Sequence, residues 1–264
     1  MKARSFVAFA ITASVIGAAK ASNHSFYGCD HSDMDPHCTY KTQNEWTYMV
    51  LSQTWEGTFC NDGCCLLPSG ATGLTSGVTI HGLWPNYEKG YPSCCKCSYT
   101  DAEVDNYMTS NAQMYRDLNT YWPSLKKCKF VSYEWRKHGT CAASVYDGER
   151  GYADYFNTVI TLHKRWNLYK ILSDAGIKPS NTTRYPATKI TKAIEAAVGK
   201  TVALTCSSGK LAEIRICIGR PTSATKLNPS PIDCATSVWN GCSSKDTIIL
   251  PPPILNLARG SCKI

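Results

Sequence analysis

The chain has 264 residues, 15 of them cysteine, and a formal net charge of +8 at pH 7. Beyond the first residues no stretch is apolar for long enough to span a bilayer as a helix, so a soluble protein is expected. The basic excess is mild: it favours a polyanionic partner such as nucleic acid, but it does not by itself establish one.

In chain order, Lys2 and Arg4 precede an apolar run from Phe6 to Ala19, and Ala19-Lys20-Ala21 has the small-x-small pattern of a cleavage site. This is the pattern of a secretory signal peptide over residues 1–21, with Ser22 as the expected first mature residue. Its removal leaves 243 residues with net charge +5, compatible with one large domain or two small ones. All 15 cysteines fall in this mature part, and in a secreted chain they read as a disulfide framework and not as metal ligands. The odd number leaves at least one thiol outside any intramolecular pair. Asn23 and Asn181 head Asn-x-Ser/Thr glycosylation acceptors.

Residues 22–41 form an N-terminal extension carrying Cys29 and Cys38. His24, His31 and His37 lie there among aspartates, but no recognised metal-ligand spacing emerges, and a solvated extension is the simpler reading. Residues 45–55 mix aromatic and β-branched residues as a strand does, and Gly77–Ile80 is a second strand running straight into His81. Helical spacing of Val104, Tyr107, Met108, Met114, Tyr115 and Leu118 predicts a helix over 101–120, stopped at Trp122-Pro123. A longer helix is expected over 152–173 and a shorter one over 187–198, the latter closed by Gly199. Strands follow at 201–205, 212–218 and 247–250. Helices and strands are segregated and not alternating, so the fold class is α+β. No repeat or linker divides residues 42–264, which read as a single domain.

Two segments concentrate chemically useful residues. In TIHGLWPNY (79–87), His81 stands at a strand end beside a turn, with Trp84 and Tyr87 as flat surfaces on which a planar ring can stack. In CKFVSYEWRKHGTC (128–141), helical geometry would place Glu134, Lys137 and His138 on one face while Arg136 points elsewhere. Taken alone, that trio is most simply a solvated charge cluster. Taken with a second histidine, it is what RNA transesterification requires: one imidazole to accept a proton, one to donate, and a cation for the phosphorane-like charge. No metal or other cofactor is called for.

The segments Ile80–Tyr87 and Glu134–Cys141 resemble the two signature segments of the ribonuclease T2 family, secreted acid endoribonucleases, and they occur in the same order. Residues 54–65 (TWEGTFCNDGCC), 91–95, 121–128 and 211–217 (LAEIRIC) are also similar to family elements. The resemblance implies an antiparallel sheet packed with helices, and an enzyme that cleaves single-stranded RNA through a 2′,3′-cyclic phosphate. It implies His81 as general acid and His138 as general base, with Glu134 and Lys137 stabilising the transition state and Trp84, Asn86 and Tyr91 near a bound base. An acidic pH optimum, a monomer and a secreted or lysosomal/vacuolar destination are expected. The family usually has histidine where Tyr133 stands and tryptophan where Val131 stands. Tyr133 can still contact a substrate phosphate through its phenol, without a positive charge. A catalytically silent binding or defence protein on the same fold is the alternative, against which the intact His81 and His138 argue.

The resemblance also implies the bridges Cys60–Cys64, Cys65–Cys128, Cys95–Cys141, Cys206–Cys242 and Cys217–Cys234. Cys29–Cys38 is a plausible local bridge, and Cys94, Cys97 and Cys262 are left unassigned.

Overall fold

The structure is a computed structural model that describes residues 29, 31–34, 38, 45–61, 63–74 and 77–260. The expected leader, Asn23, His24, His37 and Cys262 lie outside the described residues. In chain order the elements are β1 (Tyr48–Trp55), α1 (Glu56–Phe59), β2 (Val78–Asn86), α2 (Asp101–Ser110), α3 (Ala112–Tyr121) and α4 (Phe130–Glu134). A π-helical turn (Trp135–Gly139) joins α4 to α5 (Thr140–Ala142). Then come α6 (Gly151–Arg165), α7 (Leu168–Asp174), β3 (Arg184–Pro186), α8 (Ala187–Val198), β4 (Ala203–Ser207), β5 (Lys210–Gly219), β6 (Pro231–Ile232) and β7 (Thr247–Ile249).

The fold is α+β. One sheet runs β2-β1-β5-β7-β3, with β4 and β6 also paired to β5. Every pairing is antiparallel except a single parallel contact, Lys210 opposite Ile249. One face of the sheet, with Met49, Leu51, Ile80, Leu83, Ile214 and Ile216, is buried under Tyr155, Phe156, Val159 and Leu162 of α6 and Leu118 of α3. The alternation of β1 and β5 therefore decides which residues remain for the other face: Val50, Ser52 and Thr54 on β1, and Glu213, Arg215 and Cys217 on β5. Among the described residues no helix is long and apolar enough to cross a membrane.

Two expected helices are each split. Asn111 interrupts 101–120, taking an extended conformation and accepting from the Met114 N–H as the cap of α3. Between α6 and α7 it is Trp166 that is extended, and Asn167 caps α7, accepting from the Lys170 N–H. In both cases the asparagine satisfies a free helix N–H that a continuous helix would not have exposed. Helix α8 matches its expected bounds, with Gly199 in the left-handed conformation (φ 78°) that ends it.

Of the expected disulfides, Cys95–Cys141, Cys206–Cys242 and Cys217–Cys234 are present. Three others are corrected. Cys60 pairs with Cys65, not Cys64; Cys29 pairs with Cys64, not Cys38; and Cys38 pairs with Cys94. The left-handed Gly63 (φ 75°) turns the chain back toward α1, so Cys65 reaches Cys60. Its neighbour Cys64 pairs with Cys29 instead. Cys29 and Cys38 do not meet because the chain between them bridges along Cys128, where Asp33 pairs with it and Met34 N–H donates to its carbonyl at 3.2 Å. Cys128 is itself disulfide-bonded, though not to Cys65. Cys97 is the free cysteine among the described residues.

Candidate active site

His81 does not end its strand, as the sequence suggested; β2 continues through Asn86. It is the extra residue of a β-bulge: Gly82 lies opposite Ser52 and Ile80 opposite Gln53, leaving His81 with no partner on β1. The bulge explains how His81 and Trp84 cooperate. Three residues apart on a regular strand, they would face opposite sides of the sheet. One inserted residue brings both onto the face opposite the main core, while Ile80 and Leu83 stay buried within it. The rings of His81 and Trp84 meet edge-on with centroids 4.7 Å apart.

The helical segment supplies the other wall. Glu134, Lys137 and His138 are brought to the cleft, while Arg136 turns away to pair with Asp101 (3.0 Å) and Asp105 (3.2 Å). The π-helical turn falls on residues 135–139 themselves, a local widening that recurs where helices carry functional side chains. Glu134 is 2% exposed, accepts a 2.6 Å hydrogen bond from the Trp84 indole and lies 3.6 Å from His81 Nε2. Lys137 Nζ donates to the Tyr133 hydroxyl at 2.8 Å. His138 is buried between Trp84 and Tyr91, at 5.4 and 5.5 Å between ring centroids, and its Nδ1 has no hydrogen-bond partner among the described residues.

These residues line a cleft of about 690 Å³ that also includes Tyr48, Asn86, Phe130 and Tyr133. Tyr91 is 56% exposed at its rim, and the Asn86 amide donates back to the Trp84 carbonyl at 2.8 Å. A second hollow of about 790 Å³ continues beyond His81 and Phe130, with Lys126, Lys127 and Arg215 among its lining. All eight expected site residues thus converge on one cleft.

Electrostatics separate the two histidines. Burial works against a charge on His81, but hydrogen bonds to Glu134 and Glu213 outweigh it and raise its pKa to about 9. Burial dominates at His138, and with Lys137 and His81 nearby its pKa falls to about 4 despite the carboxylate of Glu134. Lys137 is raised: burial opposes its charge, but Tyr133 and Glu134 more than compensate.

Sequence reasoning missed Glu213 and Arg215. Glu213 meets His81 Nδ1 directly, although two strands separate β5 from β2 in sequence and β1 lies between them. The reach is open because the intervening residues on that face of β1 are the short Ser52 and Thr54. The available signal was in β5 itself: in KLAEIRICIG a Glu and an Arg share one face of a strand that is apolar beyond Lys210 apart from these two.

With this geometry in view, the comparisons with known proteins are consistent with one another. The model of the Ribonuclease T2 family matches residues 46–234. The chain is 32% identical to the intracellular ribonuclease LX of Solanum lycopersicum, covering 77% of this chain and 84% of that protein. It is 30% identical to ribonuclease Rh of Rhizopus niveus, over 77% of this chain and 84% of the relative. Among solved structures it is similar to RNase NT in complex with 5′-AMP, with TM-score 0.61 and 29% identity, covering 79% of this chain and all (100%) of that one. An RNase-related protein from Calystegia sepium is 31% identical at TM-score 0.60, covering 79% of this chain and 98% of that one. The chain belongs to the ribonuclease T2 family and is an endoribonuclease.

Proposed function

We propose that this endoribonuclease is secretory, acts without a metal, and cuts single-stranded RNA in two steps through a 2′,3′-cyclic phosphate. The observation that carries the reading is the convergence of His81 and His138, with Glu134 and Lys137, on one cleft; their surroundings push the two histidine pKa values apart, to about 9 at His81 and about 4 at His138. Between those values His81 is an acid and His138 a base, the protonation states the first step needs.

In that step His138 takes the proton of the ribose 2′-OH and O2′ attacks phosphorus. The P–O5′ bond breaks, and His81 gives its proton to the departing O5′. Lys137 faces the charge that accumulates on the non-bridging oxygens. Glu134, fixed by the Trp84 indole, balances the cations around it. In the second step water attacks the cyclic phosphate, the P–O2′ bond opens, and the histidines exchange roles to leave a 3′-phosphate. Trp84, Tyr91 and Asn86 would receive a base by stacking and edge contacts, and Tyr133 would meet a phosphate through its hydroxyl. DNA, lacking the 2′-OH, is not cleaved. The leader pattern and the cysteine framework support entry into the secretory pathway, toward the exterior or an acidic organelle.

The test is cleavage of single-stranded RNA with and without EDTA by the native protein and by H81A and H138A. Loss of activity in both variants, insensitivity to EDTA, and a cyclic phosphate seen by ³¹P NMR are expected. Full activity in either variant refutes the assignment, and abolition by EDTA refutes metal independence.

A further inference from the structure

His81 has two ring nitrogens, and the scheme above uses only Nε2, which faces Glu134 in the cleft. Nδ1 is held by Glu213 Oε1. The second oxygen of that carboxylate is occupied by others: Arg215 reaches Oε2 with Nη2 at 2.9 Å and Nε at 3.2 Å, and Ser52 donates to it at 3.0 Å. Thr205 stands at 3.5 Å from the same oxygen. Arg215 is in turn fixed to the Val238 carbonyl at 3.1 Å. Three strands of the sheet, β1, β4 and β5, thus hold one carboxylate against one edge of the imidazole.

We infer that Glu213 is a positioning residue, which fixes His81 with its Nδ1–H donated away from the substrate so that only Nε2 exchanges protons in both steps. The inference rests on the two-histidine reading proposed above. In the first step the imidazolium donates from Nε2 to O5′ and retains Nδ1–H on Glu213. In the second step the neutral ring presents its Nε2 lone pair to water, because the remaining proton stays on Nδ1. The proton does not pass to Glu213: burial raises the carboxyl, but His81 and Arg215 outweigh it and hold its pKa at about 2. The ionisable groups that face this pair are Glu134, Lys137 and His138 from the helical segment, Arg215 from β5, and Lys126 and Lys127 across the adjoining hollow. Glu213 and Glu134 favour the imidazolium; His138, when protonated, Lys137 and Arg215 oppose it.

The experiment is a ¹⁵N NMR titration of histidine-labelled protein, native and E213Q, run beside kcat and KM profiles against pH, with E213D as the conservative variant. The native neutral ring is expected to carry its proton on Nδ1. In E213Q the His81 titration and the alkaline limb of kcat move at least one pH unit lower, kcat at pH 7 falls about 100-fold, and KM changes little. E213D restores part of the limb. An Nε2–H tautomer in the native protein, or an E213Q titration superimposable on the native one, overturns the inference. The NMR readout does not depend on RNA cleavage, so failure of the two-histidine scheme, seen as activity surviving in H81A, is distinguishable from failure of this assignment.

Discussion

Gly82 lies directly beneath the hydrogen bond that joins the two walls of the cleft, and Gly82→Ala is the sharpest test of that arrangement. A Cβ at this position would stand 2.3 Å from Trp84 Nε1 and 2.6 Å from Glu134 Oε2, the two atoms bonded to each other at 2.6 Å. The backbone there is not left-handed, so the cost is steric and not conformational. Ordinary contact begins at about 3.5 Å, so the indole and the carboxylate must each retreat by roughly 1 Å. Overpacking of this kind costs about 1–3 kcal/mol, which for a chain of this size lowers Tm by about 2–12 °C. Misplacement of catalytic groups by about 1 Å costs about 100-fold in rate. Steady-state kinetics on a dinucleotide substrate, with calorimetry on the same samples, should therefore show a large fall in kcat at a modest loss of Tm. A variant with native kcat/KM and a Tm within experimental error of the native value would refute the role given to the Trp84–Glu134 contact.

The pH profile of kcat/KM should be bell-shaped and broad, falling below about pH 4 as His138 takes a proton and above about pH 9 as His81 loses one; initial rates from pH 3 to 10 measure both limbs. Lys137→Ala should lower kcat by about 100- to 1000-fold, whereas Tyr133→His should chiefly lower KM, and an unchanged KM would count against a phosphate contact at Tyr133. Glu56 is fully buried, and burial raises its pKa to about 8 even though it accepts from Thr79. The folded state therefore holds a proton that the unfolded chain releases at about pH 4.3; stability from this group is complete below that value and is lost as pH rises through about 8. In Glu56→Gln, urea unfolding should lose this pH dependence between pH 5 and 8. Removing Cys95–Cys141, with its separation of 46 residues, should cost about 4 kcal/mol, read as a fall in the denaturation midpoint of the double serine variant.

The residues that line the cleft were legible where they lie in continuous segments. His81 and Trp84 share one short stretch, and Glu134, Lys137 and His138 share a helical face, so residue type and spacing single them out as candidates. The bulge that turns His81 and Trp84 to the same side was not legible, because it is a property of the pairing of β2 with β1 and not of either strand alone. Glu213 was hidden for a related reason: it reaches His81 across an intervening strand, and only the register of three strands shows that Ser52 and Thr54 leave the way clear. The cysteines failed differently. Cys64 and Cys65 are adjacent, so their partners could be exchanged without disturbing any local pattern, and the direction of the turn at Gly63 decides between them. Helix existence was readable from periodicity, but the breaks at Asn111 and Asn167 depend on side-chain capping, which periodicity does not register.

The extra residue at His81 interrupts the regular ladder between β1 and β2, and the backbone there is secured from outside the sheet: the Trp122 indole donates to the His81 carbonyl at 2.9 Å. Trp122 is fully buried, so replacing it with phenylalanine would leave that carbonyl without its donor, at a cost of about 1–3 kcal/mol concentrated on the strand that bears His81. The bulge and the tryptophan are therefore structurally coupled. Deleting the inserted residue would leave the buried indole N–H without this acceptor, and losing the indole would leave the bulged carbonyl without this donor. Drift toward an inactive relative would be expected to leave its record at both positions together, even in a chain that still carries both histidines.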